Sequence, residues 1–266
     1  MKIKAIALDL DGTLLTDDKR ISETNKRILK EFERKGTKIF LVTGRTYVSA
    51  KPFADELGLN SIIITYNGAK VVDCKNDRIL YEEPLEDQYV KMIIKLAKDH
   101  NIHVNLYQDN KWYVEDPERL ESIKYAEHTG LTPVKKDFDS FDDYAMTKIT
   151  IQDMANSDVF NELCNEIAKE FAGKVYTAKS QDYLFEILNK NVNKGVVLRK
   201  ILKSEGIDME DCVAFGDALN DLEMLMEAGY GVAMGNSSLN VKNRVRYVTD
   251  TNQNNGVAKF LKKYFY

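Results

Sequence analysis

Soft metal ligands are scarce in this chain: three cysteines and three histidines among 266 residues. Cys74, Cys164 and Cys212 are odd in number, widely scattered and in no metal-binding spacing, which predicts buried, unbonded thiols in a reducing compartment. His100, His103 and His128 have no partner spacing either and read as packing or surface residues. Basic runs are missing too. The net charge is -4, and Lys262-Lys263 is only a pair, read as the solvated side of a last helix. That argues against nucleic acid as a partner, because binding a phosphate backbone needs a basic face. No uninterrupted apolar run approaches the roughly 20 residues of a membrane span. The run from Ile3 to Leu8 meets Asp9 and Asp11 too early to be the core of a signal peptide. With no internal repeat and no low-complexity stretch, a cytoplasmic globular protein of one large or two modest domains is the expectation. Its oligomeric state is open.

What the chain does have is paired acids at the ends of apolar strands. Ile3 to Leu8 reads as a buried strand, and it stops at Asp9-Leu10-Asp11-Gly12-Thr13-Leu14. Two acids at i and i+2 share a face of a strand. At about 4 Å and an effective dielectric near 20 they would repel by roughly 4 kcal/mol, so something cationic belongs there. A bare Asp-x-Asp is more simply an acidic turn; here the apolar strand before it and the Gly12-Thr13-Leu14 turn after it weigh against that reading.

The strand Lys38–Val42 likewise stops at Thr43-Gly44-Arg45, and Ile62–Thr65 at Tyr66-Asn67-Gly68, with a helix from Ser22 to Gly36 and a further one that runs to Leu57-Gly58, disturbed or started anew near Pro52. Strand and helix alternating in this way predict a doubly wound parallel sheet, whose strand ends are where ligands bind. From about Pro84 to Leu188 the pattern changes. A hairpin over residues 70–81 and a helix over 87–100 lead into strands at 103–107, 111–114, 146–151, 174–177 and 183–188, with helices at 117–128 and 157–171. This predicts an inserted α+β module, an antiparallel sheet with its helices on one face, that would hinge as a cap at two linkers. After Asn189 the doubly wound pattern returns: helix 194–205, strand 212–215, helix 219–228, strand 231–234 and a last helix from Gly256.

A second acidic cluster, Gly216-Asp217-Ala218-Leu219-Asn220-Asp221, follows the strand 212–215. Either aspartate alone could be a helix N-cap. Two acidic clusters at two parallel strand ends are better explained by a hard cation, and Mg2+, which takes oxygen ligands together with substrate phosphate, fits. Thr43 offers a hydroxyl and an amide to a phosphate, and Gly44 an amide that can approach closely. Lys194, opening a helix as the chain returns from the insertion, would supply positive charge there; a lone Lys-Gly would otherwise be a solvated surface lysine.

Taken together, Asp9 to Leu14, Thr43-Gly44-Arg45, Lys194-Gly195 and Gly216-Asp217 with Asn220-Asp221 resemble the four motifs of the haloacid dehalogenase superfamily, present in order and without departure. The large insertion and the Asn67-Gly68-Ala69 turn look like its Cof-type branch, and the resemblance covers essentially the whole chain. It implies a catalytic core over residues 1–83 and 189–266, with residues 84–188 as a substrate-selecting cap. It implies that Asp9 is a nucleophile forming an aspartyl-phosphate, and that Asp11 is general acid and then general base. Mg2+ would be bound by Asp9, the Asp11 backbone carbonyl and Asp217, with Asp221 supporting through water or from behind the direct ligands. The Leu10 amide, Thr43, Gly44, Lys194 and Asn220 would hold the transferring phosphoryl group. The expected substrates are small phosphorylated metabolites, sugar phosphates first, then nucleotide or cofactor phosphates. Two alternatives remain at this point: a phosphomutase using the same aspartyl-phosphate, and a non-catalytic phosphometabolite-binding protein.

Overall fold

The computed structural model describes residues 3–58 and 62–266. The chain divides into two compact units: the stretch up to Tyr81 together with Asn193–Tyr266, and Glu82–Val192.

The first unit is built around β1 (Ala5–Leu8), all four of whose residues are fully buried. Burial on both faces is what a central parallel strand requires. Along β1 small and large side chains alternate, so that Ile6 and Leu8 join the main apolar core. α1 (Glu23–Arg34) follows, capped by the Ser22 side chain, and it buries Ile28, Leu29 and Phe32 at helical spacing. β2 (Lys38–Val42) lies parallel to β1 with Leu8 beside Leu41. α2 (Tyr47–Leu57) runs unbroken through Pro52, contrary to the expected disturbance. Its ends are well closed, by the Thr46 side chain and by Gly58 in the left-handed conformation. β3 (Ile62–Thr65) is parallel to β2, β4 (Lys70–Asp73) runs antiparallel to β3, and β5 (Arg78–Glu82) is the edge neighbour of β4.

The second unit carries α3 (Asp87–Asp99), β6 (His103–Gln108), β7 (Lys111–Val114), α4 (Leu120–Thr129), β8 (Val134–Lys135), β9 (Lys148–Gln152), α5 (Asp158–Glu170), β10 (Val175–Gln181) and β11 (Leu184–Asn189). Its sheet has the order β10-β11-β9-β6-β7-β8 and is antiparallel apart from the short β7–β8 pair. Val104 and Leu106 pack with residues of α3 and α5 on one face. On the opposite face lie His103, Asn105 and Tyr107, and there α4 covers them. The Tyr125 ring sits 5.0 Å from Trp112 and 6.5 Å from Tyr107, and Ser122 Oγ lies 3.3 Å from His103 Nε2. The helices therefore occupy both faces, not one. At the centre of this covered polar face Asn105 is well engaged: its Oδ1 accepts from Trp112 Nε1 at 2.7 Å and lies 3.0 Å from His103 Nε2, and its Nδ2 donates to Thr150.

The chain then returns to the first unit with α6 (Lys194–Ser204), β12 (Cys212–Gly216), α7 (Leu222–Glu227), β13 (Tyr230–Ala233), α8 (Leu239–Lys242), β14 (Tyr247–Val248) and α9 (Gly256–Phe265). The completed sheet reads β14-β13-β12-β1-β2-β3-β4-β5. β12 pairs parallel with β1, Leu8 beside Phe215, which sets the two acidic strand ends side by side. The three cysteines are unbonded; Cys164 and Cys212 are buried, while Cys74 is only partly so. Among the described residues no helix is long and apolar enough to cross a membrane.

Candidate active site

Immediately after β1 the backbone makes a wide turn, with the Leu14 amide bonded to the Asp9 carbonyl and the Leu15 amide to that of Leu10. Gly12 occupies the left-handed region at φ +72°. A Cβ there would stand 2.3 Å from Asp217 Oδ2, so the missing side chain is what lets the second acidic segment approach the first. The buried Thr13 donates its hydroxyl to Asp217 Oδ1 at 3.3 Å, and Asn236 Nδ2 donates to the Gly12 carbonyl.

Lys194 enters from the first turn of α6, after Asn193 has capped that helix with its side chain. Its ammonium donates to Asp9 Oδ1 at 2.7 Å and to Asp221 Oδ1 at 2.6 Å. The other oxygen of Asp221 accepts from the amides of Asp217 and Ala218. Asp221 can pack so close because Gly216 has no Cβ; one built there would meet Asp221 Cβ at 2.5 Å. Asp9, Asp217 and Asp221 each offer a carboxylate oxygen within 4.8 Å of the others.

The electrostatics follow from this crowding. Burial pushes the Asp9 carboxyl well above its usual range; Lys194 pulls it down, and Asp221 and Asp217 push it up again. Asp217 is pushed up to about 7, mainly by burial and then by the charge of Asp221. Burial alone would lower the pKa of Lys194, but Asp221 and Asp9 outweigh it and raise it. One lysine among three crowded carboxylates, two of them buried, leaves the cluster short of positive charge. An oxygen-only donor set with that deficit suits a hard divalent cation.

Asp11 stands apart. Its carboxylate is gripped by Arg45 through two hydrogen bonds of 2.6 and 2.7 Å and by Lys19 at 2.7 Å. Burial would raise its pKa, but the hydrogen bonds and charge of Arg45, then those of Lys19, hold it well below the usual carboxylate range. Arg45 was legible as part of Thr43-Gly44-Arg45, although the motif alone did not tie it to Asp11; Lys19, in a charged loop, carried no signal.

Among the expected phosphate-holding residues, the buried Leu10 follows Asp9 directly. The amide of Thr43 is already bonded to the Ile64 carbonyl, which leaves the hydroxyl, an acceptor for the Arg45 amide at 3.1 Å, as the group it can present. Gly44 lies against the Asn67 side chain, and Asn220 Nδ2 donates to Asn67 Oδ1 at 3.0 Å. Asp9, Lys194, Asp217 and Asp221 thus form one hydrogen-bonded and carboxylate-crowded group, and Thr43, Gly44 and Asn220 are joined through Asn67.

Residues 6–261 match the haloacid dehalogenase-like hydrolase family. Two 5-amino-6-(5-phospho-D-ribitylamino)uracil phosphatases of Bacillus subtilis, YcsE and YitU, are 35% and 33% identical to this chain over 261 and 263 residues. Each alignment covers 98% of this chain, and they cover 95% and 97% of the two relatives. A haloacid dehalogenase-like hydrolase from Bacteroides thetaiotaomicron superposes with a TM-score of 0.90 at 29% identity, covering 99% of this chain and 100% of that one. The chain belongs to the haloacid dehalogenase-like hydrolase family and is a phosphoric monoester hydrolase of its Cof-type branch.

Proposed function

We propose that the protein hydrolyses small phosphate monoesters by passing the phosphoryl group to Asp9 and then to water, with Mg2+ as cofactor. The observation that carries this reading is Lys194 held 2.7 Å from a buried strand-end carboxylate, beside two further acids. A carboxylate attacks a phosphate dianion only where positive charge offsets the repulsion and steadies the equatorial oxygens. Asp9, the Asp11 carbonyl and Asp217 would hold Mg2+, which supplies the missing positive charge when bound. Asp221, with both oxygens engaged by Lys194 and two amides, suits a supporting place better than direct ligation.

In the first step an Asp9 oxygen attacks phosphorus, the ester P–O bond breaks and Asp11 gives a proton to the departing oxygen. In the second, Asp11 takes a proton from water, which attacks the aspartyl-phosphate, frees inorganic phosphate and restores Asp9. The carboxylate gripped by Arg45 and Lys19 is in the form that accepts a proton. To donate one, Asp11 must first release Arg45. Lys194, the Leu10 amide, the Thr43 hydroxyl, the Gly44 amide and Asn220 hold the phosphoryl oxygens throughout.

The segment 84–188 sets the preference among esters, since every residue given a chemical role lies outside it. Sugar and sugar-alcohol phosphates are the first substrates to try, supported by the phosphoribityl group in the names of the two Bacillus subtilis relatives; nucleotide and cofactor phosphates come next. The test is a panel of metabolite phosphates assayed for inorganic phosphate with Mg2+ and with chelator. Stoichiometric phosphate release that needs Mg2+ and vanishes in Asp9→Asn supports the reading. Turnover in chelator, or in Asp9→Asn, refutes it, as would a rearranged sugar phosphate with no phosphate released.

A further inference from the structure

The turn after β3 is strained and buried. Tyr66, Asn67 and Gly68 follow one another at φ +50°, +53° and +113°, and the first two are 1% exposed. A bulky residue in the left-handed region is an outlier that its surroundings must enforce. Here they do so by tying the turn to the loop after β2. The Tyr66 amide donates to the Arg45 carbonyl at 2.9 Å and the Asn67 amide to that of Thr43 at 3.0 Å, one on each side of Gly44. The Asn67 carboxamide then lies against Gly44, where a Cβ would be 3.0 Å from its Oδ1 and 3.3 Å from its Nδ2. The same Oδ1 accepts from Asn220 at 3.0 Å. Gly68 presses on the start of α6; a Cβ on it would stand 2.8 Å from the carbonyl of Asn193, the neighbour of Lys194. A single turn thereby touches three separate segments of the site.

We infer that Asn67 is a positioning residue, which holds the Asn220 carboxamide beside the Gly44 turn, at the place where it grips a phosphoryl group. The inference rests on the phosphatase reading above. Asn suits the position on two counts: it tolerates the left-handed backbone, and its amide reaches Asn220. A plain packing role would affect stability alone. A positioning role acts through Asn220, so it must show in substrate and phosphate affinity and must be lost when Asn220 is gone.

The experiment is a double-mutant cycle of Asn67→Gly and Asn220→Ala, read as KM for p-nitrophenyl phosphate and as the inhibition constant of inorganic phosphate, with Mg2+ present. Gly keeps the positive φ free of strain, so the change isolates the side chain. Asn67→Gly should raise both constants about three- to tenfold, the effect of one hydrogen bond. The double variant should be no worse than Asn220→Ala alone, the non-additivity of residues that act together. A lowered melting temperature with both constants unchanged, or additive effects, overturns the inference. If Asn67→Gly does not fold, Asn67→Ser, which also cannot reach Asn220, goes through the same cycle with the same criteria. Wild-type enzyme that turns over while the cycle is additive removes this inference only. Wild-type enzyme that never turns over any ester removes the phosphatase reading, and this inference with it.

Discussion

Lys194 is the sharpest place to perturb the site without measuring catalysis. It is 1% exposed, and its ammonium is shared between Asp9 at 2.7 Å and Asp221 at 2.6 Å, neither more than 7% exposed. Lys194→Met keeps an apolar stem of similar length and removes the charge. Taking one partner from a buried ion pair costs about 3–5 kcal/mol, because the charge left behind stays buried and uncompensated. That is a large part of the roughly 5–15 kcal/mol that holds a domain together. The loss must also depend on pH. Burial already pushes Asp9 upward, and without Lys194 nothing comparable pulls it down. Its folded pKa then lies further above the unfolded value of about 3.9, so the folded state binds more protons, and stability falls as pH rises through that interval. Lys194 in the wild type stays protonated across the range, since its own pKa is raised. The gap between wild type and variant should therefore be smallest near pH 5 and widen towards pH 8. Urea unfolding followed by far-UV circular dichroism in chelator measures it. A variant that folds at pH 5 and not at pH 8 is the same outcome in stronger form. No loss of stability, or a gap that ignores pH, would refute the electrostatic reasoning.

Two further outcomes test other parts of the molecule. His103 is held at a pKa of about 4, from 6.5, chiefly by burial and against the raising effect of Asn105. A depressed histidine contributes stability that is fully present above 6.5 and disappears as pH falls to about 4, roughly 3 kcal/mol at 1.36 kcal/mol per unit. Urea titrations read by the fluorescence of Trp112, the chain's single tryptophan, should show that slope in wild type and a shallower one in His103→Gln; parallel curves would contradict it. Gly12→Ala should cost about 1–2 kcal/mol for its left-handed backbone and also push Asp217 aside, raising the Mg2+ concentration needed for half-maximal activity. Gly36→Ala, at φ +91° with nothing within 4 Å of the added Cβ, should show only the backbone cost, and an Mg2+ requirement shifted equally in both variants would count against the role given to Gly12.

The parts of this protein that were legible in sequence are those written in contiguous stretches. Ala5–Leu8 followed by Asp9 and Asp11, and Cys212–Gly216 followed by Asp217 and Asp221, announce a strand and its acidic end within about ten residues each. The Ser22 helix cap is equally local. What was hidden depends on residues far apart. The alternation His103, Asn105, Tyr107 looks like a solvent face until α4 arrives to cover it, and the buried Asn105 finds its partners in Trp112 and, far along the chain, Thr150. Pro52 looked like a break in α2, but caps at both ends hold that helix together. The grip of Arg45 and Lys19 on Asp11, and the link from Asn67 to Asn220 across 153 residues of sequence, are side-chain contacts that no local pattern encodes.

The central claim is that Asp9 carries the phosphoryl group and Asp11 moves the protons, and Asp11→Asn tests it most directly. p-Nitrophenyl phosphate has a leaving group that needs little protonation, so the first step should proceed at close to the wild-type rate. With sugar phosphates that step should slow by about 10²- to 10⁴-fold, the usual contribution of a general acid. The second step loses its base with either substrate. Mixing Asp11→Asn with p-nitrophenyl phosphate and Mg2+ should therefore release a burst of nitrophenolate near one equivalent, followed by a slow steady state. Acid quenching during that phase and mass spectrometry should find one phosphoryl group, on the peptide that contains Asp9. Equal losses on both kinds of ester, with no burst and no phosphorylated Asp9, would contradict the account.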